Sequence, residues 1–312
     1  MKKIMVKLIV WMLAPLLKKL ATGQESFIEL DKHGIHLMQS SFYSPIPDLC
    51  KLKPSVFERS IEMPGVDMNE GKQLELLQSF SLKYRQEYSA FPLSTKSEER
   101  TYCADNDSFP AQDGALLHCM VRHFKPKRII EIGSGNSSLA ISGALALNRS
   151  DEPEFECDWT AIEPYPQDIL KEGIEGINGL TRLIEKQVQD VPFSEFEKLG
   201  ENDILFIDSS HVLKIDSDVH YEYLEIFPRL KPGVLIHIHD IFLPMEYPKQ
   251  WLEDRHWFWN EQYLLQAFLS FNDKFEVLYS GPFMAKKYSD EMKSFSQYTE
   301  NNLAASFWMR RI

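Results

Sequence analysis

The stretch that decides the fold is residues 128–138, which read Arg-Ile-Ile-Glu-Ile-Gly-Ser-Gly-Asn-Ser-Ser. A β-branched run ends directly in Gly133-Ser134-Gly135, and the segment 138–147 that follows has the composition of a helix. Glycine lets the backbone turn tightly and approach a ligand, and the first turn of a helix offers free N–H groups. We therefore predict a strand, a tight loop and a helix whose junction binds a ligand.

Further short apolar runs follow this unit, and most of them end in an acidic residue. They are Trp159–Ile162 before Glu163, Thr181–Val188 near Asp190, Ile204–Ile207 before Asp208 and Val234–Ile238 before His239-Asp240, with Phe275–Ser280 and Ala305–Arg310 closing the chain. Helical segments such as 221–230 separate them, and this alternation indicates a parallel sheet covered on both faces. We predict an α/β fold, a doubly wound Rossmann-like sheet of seven mostly parallel strands. Ligands in such sheets bind outside the carboxyl ends of the strands.

The first third of the chain has a different character. Prolines at 45, 47, 54, 64 and 92 divide it into short pieces, and helices are predicted over 72–90 and 111–124. We predict an N-terminal helical or irregular cap region over residues 1–104 and the Rossmann-like domain over residues 105–312.

The composition of the chain indicates which partners and which cellular compartment to expect. The 34 basic and 46 acidic residues of this 312-residue chain give a net charge of −12. Duplex binding draws its affinity from Lys and Arg, so nucleic acid is not an expected partner. Four scattered cysteines without metal-ligand spacing read as reduced thiols, which predicts a cytoplasmic protein.

Residues 1–20 form a separate basic and apolar segment. Lysine pairs flank an apolar run whose uninterrupted part, 8–17, is half of the ~20 residues that a membrane span requires. Three alternatives stay open: a helix on a membrane surface, which would give peripheral membrane association, a helix docked on a partner, and a buried helix. The sequence does not decide the oligomeric state.

The glycine loop is not a standard dinucleotide fingerprint, because Ser138 stands where a third glycine is needed. Glu131, beside the turn, would repel a pyrophosphate but suits a cationic ligand. Glu163 ends the second strand thirty residues after Gly133, where a carboxylate can accept both hydroxyls of a ribose. Asp190, after the third strand, could accept a hydrogen bond from an adenine amino group.

This pattern resembles the class I S-adenosylmethionine-dependent methyltransferases over roughly residues 105–312. The resemblance is closest to small-molecule O-methyltransferases, through Ala-Ile-Glu-Pro-Tyr-Pro at 161–166 and Phe-Ile-Asp-Ser-Ser-His at 206–211. It implies that S-adenosyl-L-methionine lies with its methionine part against the glycine loop and its ribose at the acid after strand two. The cofactor-binding residues assigned on this basis, together with Asp190, are Glu131, Gly133, Ser134, Gly135, Asn136, Glu163 and Asp208.

A second group of residues points to a metal. Asp208, His239 and Asp240 end neighbouring strands and offer two carboxylates and an imidazole to a divalent cation. The arrangement resembles metal-dependent sugar and antibiotic O-methyltransferases, except that His239 replaces a Glu, which favours Mn²⁺ or Fe²⁺ over Mg²⁺. With Asp208, His211 is the predicted catalytic residue, acting as general base. The alternative is structural: His211 caps a helix, and His239 with Asp240 ties two strand ends together.

The functional hypothesis is methyl transfer, to oxygen of a small-molecule or saccharide acceptor. An aromatic segment, 242–263, would either wall the acceptor site or pack into the core. A nicotinamide-dependent oxidoreductase is the second hypothesis, and Ser138 and Glu131 disfavour it. The third is a non-catalytic methyltransferase-like binding protein, for which loss of the cofactor-site acids would be expected, yet Glu131 and Glu163 are present.

Overall fold

The computed structural model describes residues 2–94, 100–172, 176–295 and 304–312. By its internal contacts the chain divides into two units, Met1–Val56 and Phe57–Ile312. The first unit contains α1 (Lys2–Leu20) and α2 (Gln24–Asp31), and α3 (Ser55–Glu58) lies at the division. The boundary predicted after residue 104 stays a prediction.

A seven-stranded sheet forms the centre of the second unit. Its strands are β1 (Arg128–Ile132), β2 (Asp158–Ile162), β3 (Arg182–Ile184), β4 (Ile204–Ile207), β5 (Leu235–Ile238), β6 (Phe275–Ser280) and β7 (Phe307–Arg311). Their order across the sheet is β3-β2-β1-β4-β5-β7-β6, and β7 runs antiparallel to both of its neighbours. The neighbouring pairs among the first five strands are parallel. The predicted doubly wound, mostly parallel α/β sheet is confirmed.

Helices cover both faces of this sheet. They are α4 (Glu70–Tyr88), α5 (Ala111–Phe124), α6 (Asn136–Asp151), α7 (Asp168–Lys171), α8 (Asp218–Tyr221), α9 (Lys249–Glu253), α10 (Glu261–Leu269), α11 (Gly281–Lys287) and α12 (Ser289–Phe295). Successive strand residues point to opposite faces, so Phe206 joins the core beneath α5 and α6 while Ile207 joins the core beneath α10. Each core therefore draws on alternate residues of the same strands.

Two predicted elements differ from the structure. The strand predicted over 181–188 is shorter, because β3 ends at Ile184 and a 3-10 turn, Val188–Asp190, follows. The helix predicted over 221–230 is broken into α8, a π-helical turn (Glu222–Ile226) and a 3-10 turn (Phe227–Arg229). Pro228 lies in that last turn, and a proline has no N–H to continue an α-helical ladder.

An ionic network around the buried side chains of Arg122 and His118 joins α4 to the helices over the sheet. Arg122 donates to both carboxylate oxygens of Glu87, at 2.8 and 2.9 Å, and also to Asp151 at 2.6 Å. His118 contacts the same Glu87 carboxylate at 2.8 Å. Burial opposes ionisation of Glu87, but these contacts lower its pKa to about 2. The α4 segment is thereby tied to α5 and α6.

Among the described residues, no helix combines the length and the apolar content that crossing a membrane requires.

Candidate active site

A cleft of about 450 Å³ opens at the carboxyl ends of β1, β2 and β4. It lies where the strand order reverses, since β2 and β4 flank β1 on opposite sides, which is the usual ligand position in such sheets. Its volume is within the range of small-molecule sites. Residues from each strand end and from the loops beyond line it, including Gly133, Glu163, Gln189, Asp208, Ser210 and Lys214.

The glycine loop is shaped by contact between the tips of β1, β2 and β4. Gly133 has φ +76°, and a Cβ there would lie 1.9 Å from the carbonyl oxygen of Asp208. Its N–H donates to the Ile162 carbonyl at 3.1 Å. Only glycine fits this conformation and this approach. Gly135 differs, because its φ of −174° is ordinary extended backbone and a Cβ would meet no atom within 4 Å.

Glu163 lies half-buried at the end of β2 and lines the cleft. The backbone N–H of Ser134 donates to its Oε2 at 3.3 Å, and that of Tyr165 donates to its Oε1 at 2.8 Å. These two donors hold the carboxylate at the cleft edge beside the glycine loop. The predicted ribose contact of Glu163 stays a prediction.

Glu131 lies beneath the loop and is not among the residues that line the cleft. Its carboxylate is fully buried and accepts hydrogen bonds from Ser137 and Ser138 hydroxyls at 2.8 and 2.9 Å and from the Trp159 indole at 3.1 Å. Ser138 stands at the position of the third glycine of a dinucleotide motif, and its hydroxyl therefore binds Glu131 within the protein. Glu131 ties the first turn of α6 to β1 and β2, and its predicted cofactor contact stays a prediction.

Burial raises the pKa of Glu131 to about 8, against the opposing effect of its three donors. The folded protein therefore holds a proton that the unfolded chain releases near its ordinary pKa of 4.5. This contribution to stability is complete below about pH 4.5 and is lost as the pH rises through 8, at up to about 1.4 kcal/mol per pH unit. We expect Glu131→Gln to flatten that decline in urea unfolding between pH 5 and 8. The exposed Glu154→Gln is the control, and a wild-type-minus-variant difference that does not change with pH would contradict the prediction.

The other predicted cofactor residues occupy different positions around the cleft. Asn136 is the first residue of α6, and its side-chain amide donates to Asn106 at 3.1 Å and to Ser108 at 2.7 Å. These two bonds tie the loop before α5 to the start of α6. Asp190 is exposed at the end of its 3-10 turn. The nearby residues that line the cleft are Gln187, Val188 and Gln189. The adenine contact of Asp190 stays a prediction.

Among the described residues, Asp208, His211 and Asp240 form a cluster that could hold a metal ion, with ligand atoms all within 4.8 Å of one another. His211 Nε2 lies 3.4 Å from Asp208 Oδ1 and 3.7 Å from Asp240 Oδ2. His211 and Asp240 both have left-handed backbone, with φ of +61° and +54°. Such conformations are costly outside glycine and concentrate at functional sites.

Among the described residues, the group of ligand atoms that come together includes His211 and does not include the predicted His239, whose metal role stays a prediction. The ring centroid of His239 lies 4.8 Å from that of Phe109 and 5.8 Å from that of His237. Its Nε2 is 3.7 Å from Asp240 Oδ1. Burial lowers the pKa of His239, but the negative charges of Asp240 and Asp208 raise it above its ordinary value.

Glu261 is the residue of this site that the sequence analysis missed. It begins α10, is fully buried, and its Oε2 lies 2.8 Å from His211 Nδ1. Burial alone would lower the pKa of His211, but the contacts with Asp208 and Glu261 raise it well above the usual value. These contacts favour the imidazolium form, and a proton would have to leave Nε2 before that nitrogen could bind a cation or act as a base. The general-base role stays a prediction.

The aromatic segment reaches this cluster. The Trp259 ring lies 4.3 Å from the His211 ring, and Trp257 stacks on Trp259 at 4.7 Å with an interplanar angle of 10°. Trp251 packs against Trp259 at 5.0 Å, and all three indoles are half-buried. The indoles of this aromatic segment thus pack on one another, and Trp259 also packs on the ring of His211.

Comparison with known proteins identifies the family. A family model for a methyltransferase domain matches residues 130–241, which contain the glycine loop, Glu163 and the Asp208 cluster. An uncharacterized protein of Archaeoglobus fulgidus is 33% identical over 166 residues, which cover 52% of this chain and 72% of that protein. The chain belongs to the class I S-adenosylmethionine-dependent methyltransferases. The methyltransferase is also similar to a crystal structure described as a "putative methyltransferase" from Thermobifida fusca, with 10% identity, a TM-score of 0.31 and coverage of 87% of this chain and 99% of that one.

Membership of this family identifies the protein as a methyltransferase enzyme. It also agrees with the resemblance drawn from the Glu-x-Gly-x-Gly loop and the strand-end acids, and it leaves the acceptor and the metal to be inferred from the site.

Proposed function

We propose that this methyltransferase binds S-adenosyl-L-methionine in the cleft and methylates a hydroxyl oxygen of a small-molecule or saccharide acceptor, with a divalent cation held by Asp208, His211 and Asp240. One observation carries the proposal: Asp208 both lines the cofactor cleft and belongs to the cation cluster. A hydroxyl held at the cluster would therefore lie beside the methyl donor. Methyl transfer depends strongly on such positioning.

The cleft residues fit the cofactor. Ser134 Oγ is buried without a partner among the described residues, and space is open in front of Gly135. The free N–H groups at the start of α6 suit the methionine carboxylate. Glu163 offers carboxylate oxygens to the two ribose hydroxyls, and Gln189, which also lines the cleft, would contact the base. The bound donor supplies an electrophilic methyl group on its sulfonium.

The cluster residues fit a cation. Two carboxylates and one imidazole suit Mn²⁺ or Fe²⁺, and they leave positions open for the acceptor. A divalent cation there would lower the pKa of the acceptor hydroxyl. Glu261 fixes the orientation of the His211 ring through Nδ1, as carboxylates behind metal-binding histidines do. Trp259 covers one side of that ring and keeps water from it.

The indoles of Trp251, Trp257 and Trp259 support a cyclic acceptor. Their faces pack on one another and on His211, and their partly exposed edges offer an apolar surface against which a sugar or aromatic ring can pack. The oxygen to be methylated would then extend toward Asp208 and Asp240.

Glu163→Ala tests the cofactor part of the proposal. Losing the ribose contacts should weaken S-adenosylhomocysteine binding by roughly 1–3 kcal/mol, which is about fivefold to 150-fold, in titration calorimetry. The matched control is Glu185→Ala, an exposed acid after β3, which should bind as wild type does. Unchanged affinity in the Glu163 variant would remove this residue from the ribose site. No binding by folded wild-type protein would favour the non-catalytic alternative.

A further inference from the structure

Helix α1 exposes apolar side chains on every side. None of its residues is buried, and Ile4 and Trp11 are each 75% exposed while Leu8 is 55% exposed. A helix that is apolar all round normally lies in a protein core or in lipid, because water around it is unfavourable. Covering the surface of α1 with protein or lipid would therefore be favourable.

The charges of this helix indicate which environment that is. Lys2, Lys3 and Lys7 stand toward its start and Lys18 and Lys19 at its end, and the first acidic residue of the chain is Glu25. The whole chain carries −12, so this cationic end contrasts with the rest of the protein. Lysines attract the anionic headgroups of a bilayer. Two copies of the helix packed together would bring like charges at their ends into contact, which disfavours a helix dimer.

The dimensions favour a helix in the plane of the interface. The uninterrupted apolar run, 8–17, is about 15 Å long at 1.5 Å per residue, half of the ~30 Å hydrocarbon core. Lysine side chains are long enough to reach the headgroups while their stems stay in the apolar layer. The helix can thus bury its apolar residues at the boundary with its ammonium groups in water.

A loop of the same unit supplies aromatic residues near the end of α1. Gln39 donates to the Lys18 carbonyl at 3.3 Å, which places the loop beside the helix terminus. Phe42 and Tyr43 in this loop are 96% and 91% exposed. Exposed aromatic rings of this kind settle at the membrane–water boundary.

We propose that residues 2–20 form an interfacial anchor that binds the methyltransferase to an anionic lipid bilayer. The protein should cosediment with vesicles of phosphatidylcholine containing about 30% phosphatidylserine at least about tenfold more strongly than with phosphatidylcholine alone. Raising the salt from about 0.1 M to about 0.5 M should weaken the binding several-fold. Both the lipid comparison and the salt comparison use the unaltered protein.

Two variants separate charge from apolar burial. Changing Lys2, Lys3, Lys7, Lys18 and Lys19 together to Gln should lower the partition coefficient by about tenfold or more, whereas the same change at Lys72, Lys171, Lys249, Lys274 and Lys287 should leave it within about twofold. Leu8→Ser with Leu13→Ser should also lower it by about tenfold, because two apolar side chains no longer enter the bilayer. S-adenosylhomocysteine binding reports that each variant is folded.

Three outcomes would overturn the anchor: no partition of the unaltered protein into the anionic vesicles, equal partition into neutral ones, or unchanged partition of the α1 lysine variant. Self-association by α1 in sedimentation equilibrium, without vesicle binding, would assign the helix to a second copy of the chain instead.

Discussion

Asp208→Asn with Asp240→Asn is expected to abolish divalent-cation binding. The double variant keeps the side-chain volumes but removes both negative charges from the cluster around His211. A lone imidazole in a buried site is a weak ligand, and altering only the groups behind a metal ligand already costs about 10–100-fold in affinity. The loss should therefore exceed about a hundredfold. Titration calorimetry with Mn²⁺, supported by the paramagnetic signal of free Mn²⁺, measures it without an acceptor.

The control for this experiment keeps the same change of charge. Asp168 and Asp273 are exposed carboxylates, 97% and 84% accessible, on the same unit of the chain. The variant Asp168→Asn with Asp273→Asn should bind Mn²⁺ as wild type does. If the Asp208 and Asp240 variant also binds Mn²⁺ with wild-type affinity, the cation does not occupy this cluster. S-adenosylhomocysteine binding that survives in the double variant would leave the cofactor assignment intact.

Gly133→Ala is expected to have the largest effect on stability. The residue has φ +76°, and the new Cβ would lie 1.9 Å from the backbone carbonyl oxygen of Asp208. Because backbone must move to relieve that contact, the tips of β1 and β4 would separate. We expect the free energy of unfolding to fall by roughly 3–5 kcal/mol and cofactor binding to be lost. The melting temperature should fall by about 2–4 °C for each kcal/mol.

Gly135→Ala provides the matched comparison two residues away. Its backbone is extended and the new Cβ would meet no atom within 4 Å, so stability should change by less than about 1 kcal/mol. The methyl group would project into space that the cofactor is proposed to occupy, so S-adenosylhomocysteine binding should weaken. Equal losses of stability in the two variants would show that the contact at Gly133 does not govern the loop.

Much of the fold could be predicted because its signals are local. The apolar run of β1 and the glycines after it define one strand–loop–helix unit, and the observed β4 and β6 coincide with the predicted ranges. β3 was overpredicted because the predicted run extended to Val188, although the polar residues Glu185, Lys186 and Gln187 follow Ile184 and lead into the Val188–Asp190 turn. Whether such residues extend a strand depends on pairing with β2, which the run itself does not specify.

The site was predictable only where position along a strand determines position in space. The residues directly after β2 and β4, Glu163 and Asp208, lie at one edge of the sheet because parallel strands end there together. Asp190 is the last residue of a 3-10 turn and does not directly follow a strand, so its position relative to the cleft could not be predicted from its spacing.

The sequence by itself determined the family, the sheet and the acids at its strand tips, since apolar runs, glycines and the residues that follow them are properties of short segments. Only the tertiary structure decided that His211 lies together with Asp208 and Asp240, because the left-handed φ of His211 and Asp240 sets the directions of their side chains, and neither residue is a glycine that would mark this conformation in the sequence. It also brought Glu261 to His211 across 50 residues. Burial of that carboxylate behind the imidazole depends on how α10 packs on the sheet, which is a sum of long-range contacts that no local pattern encodes.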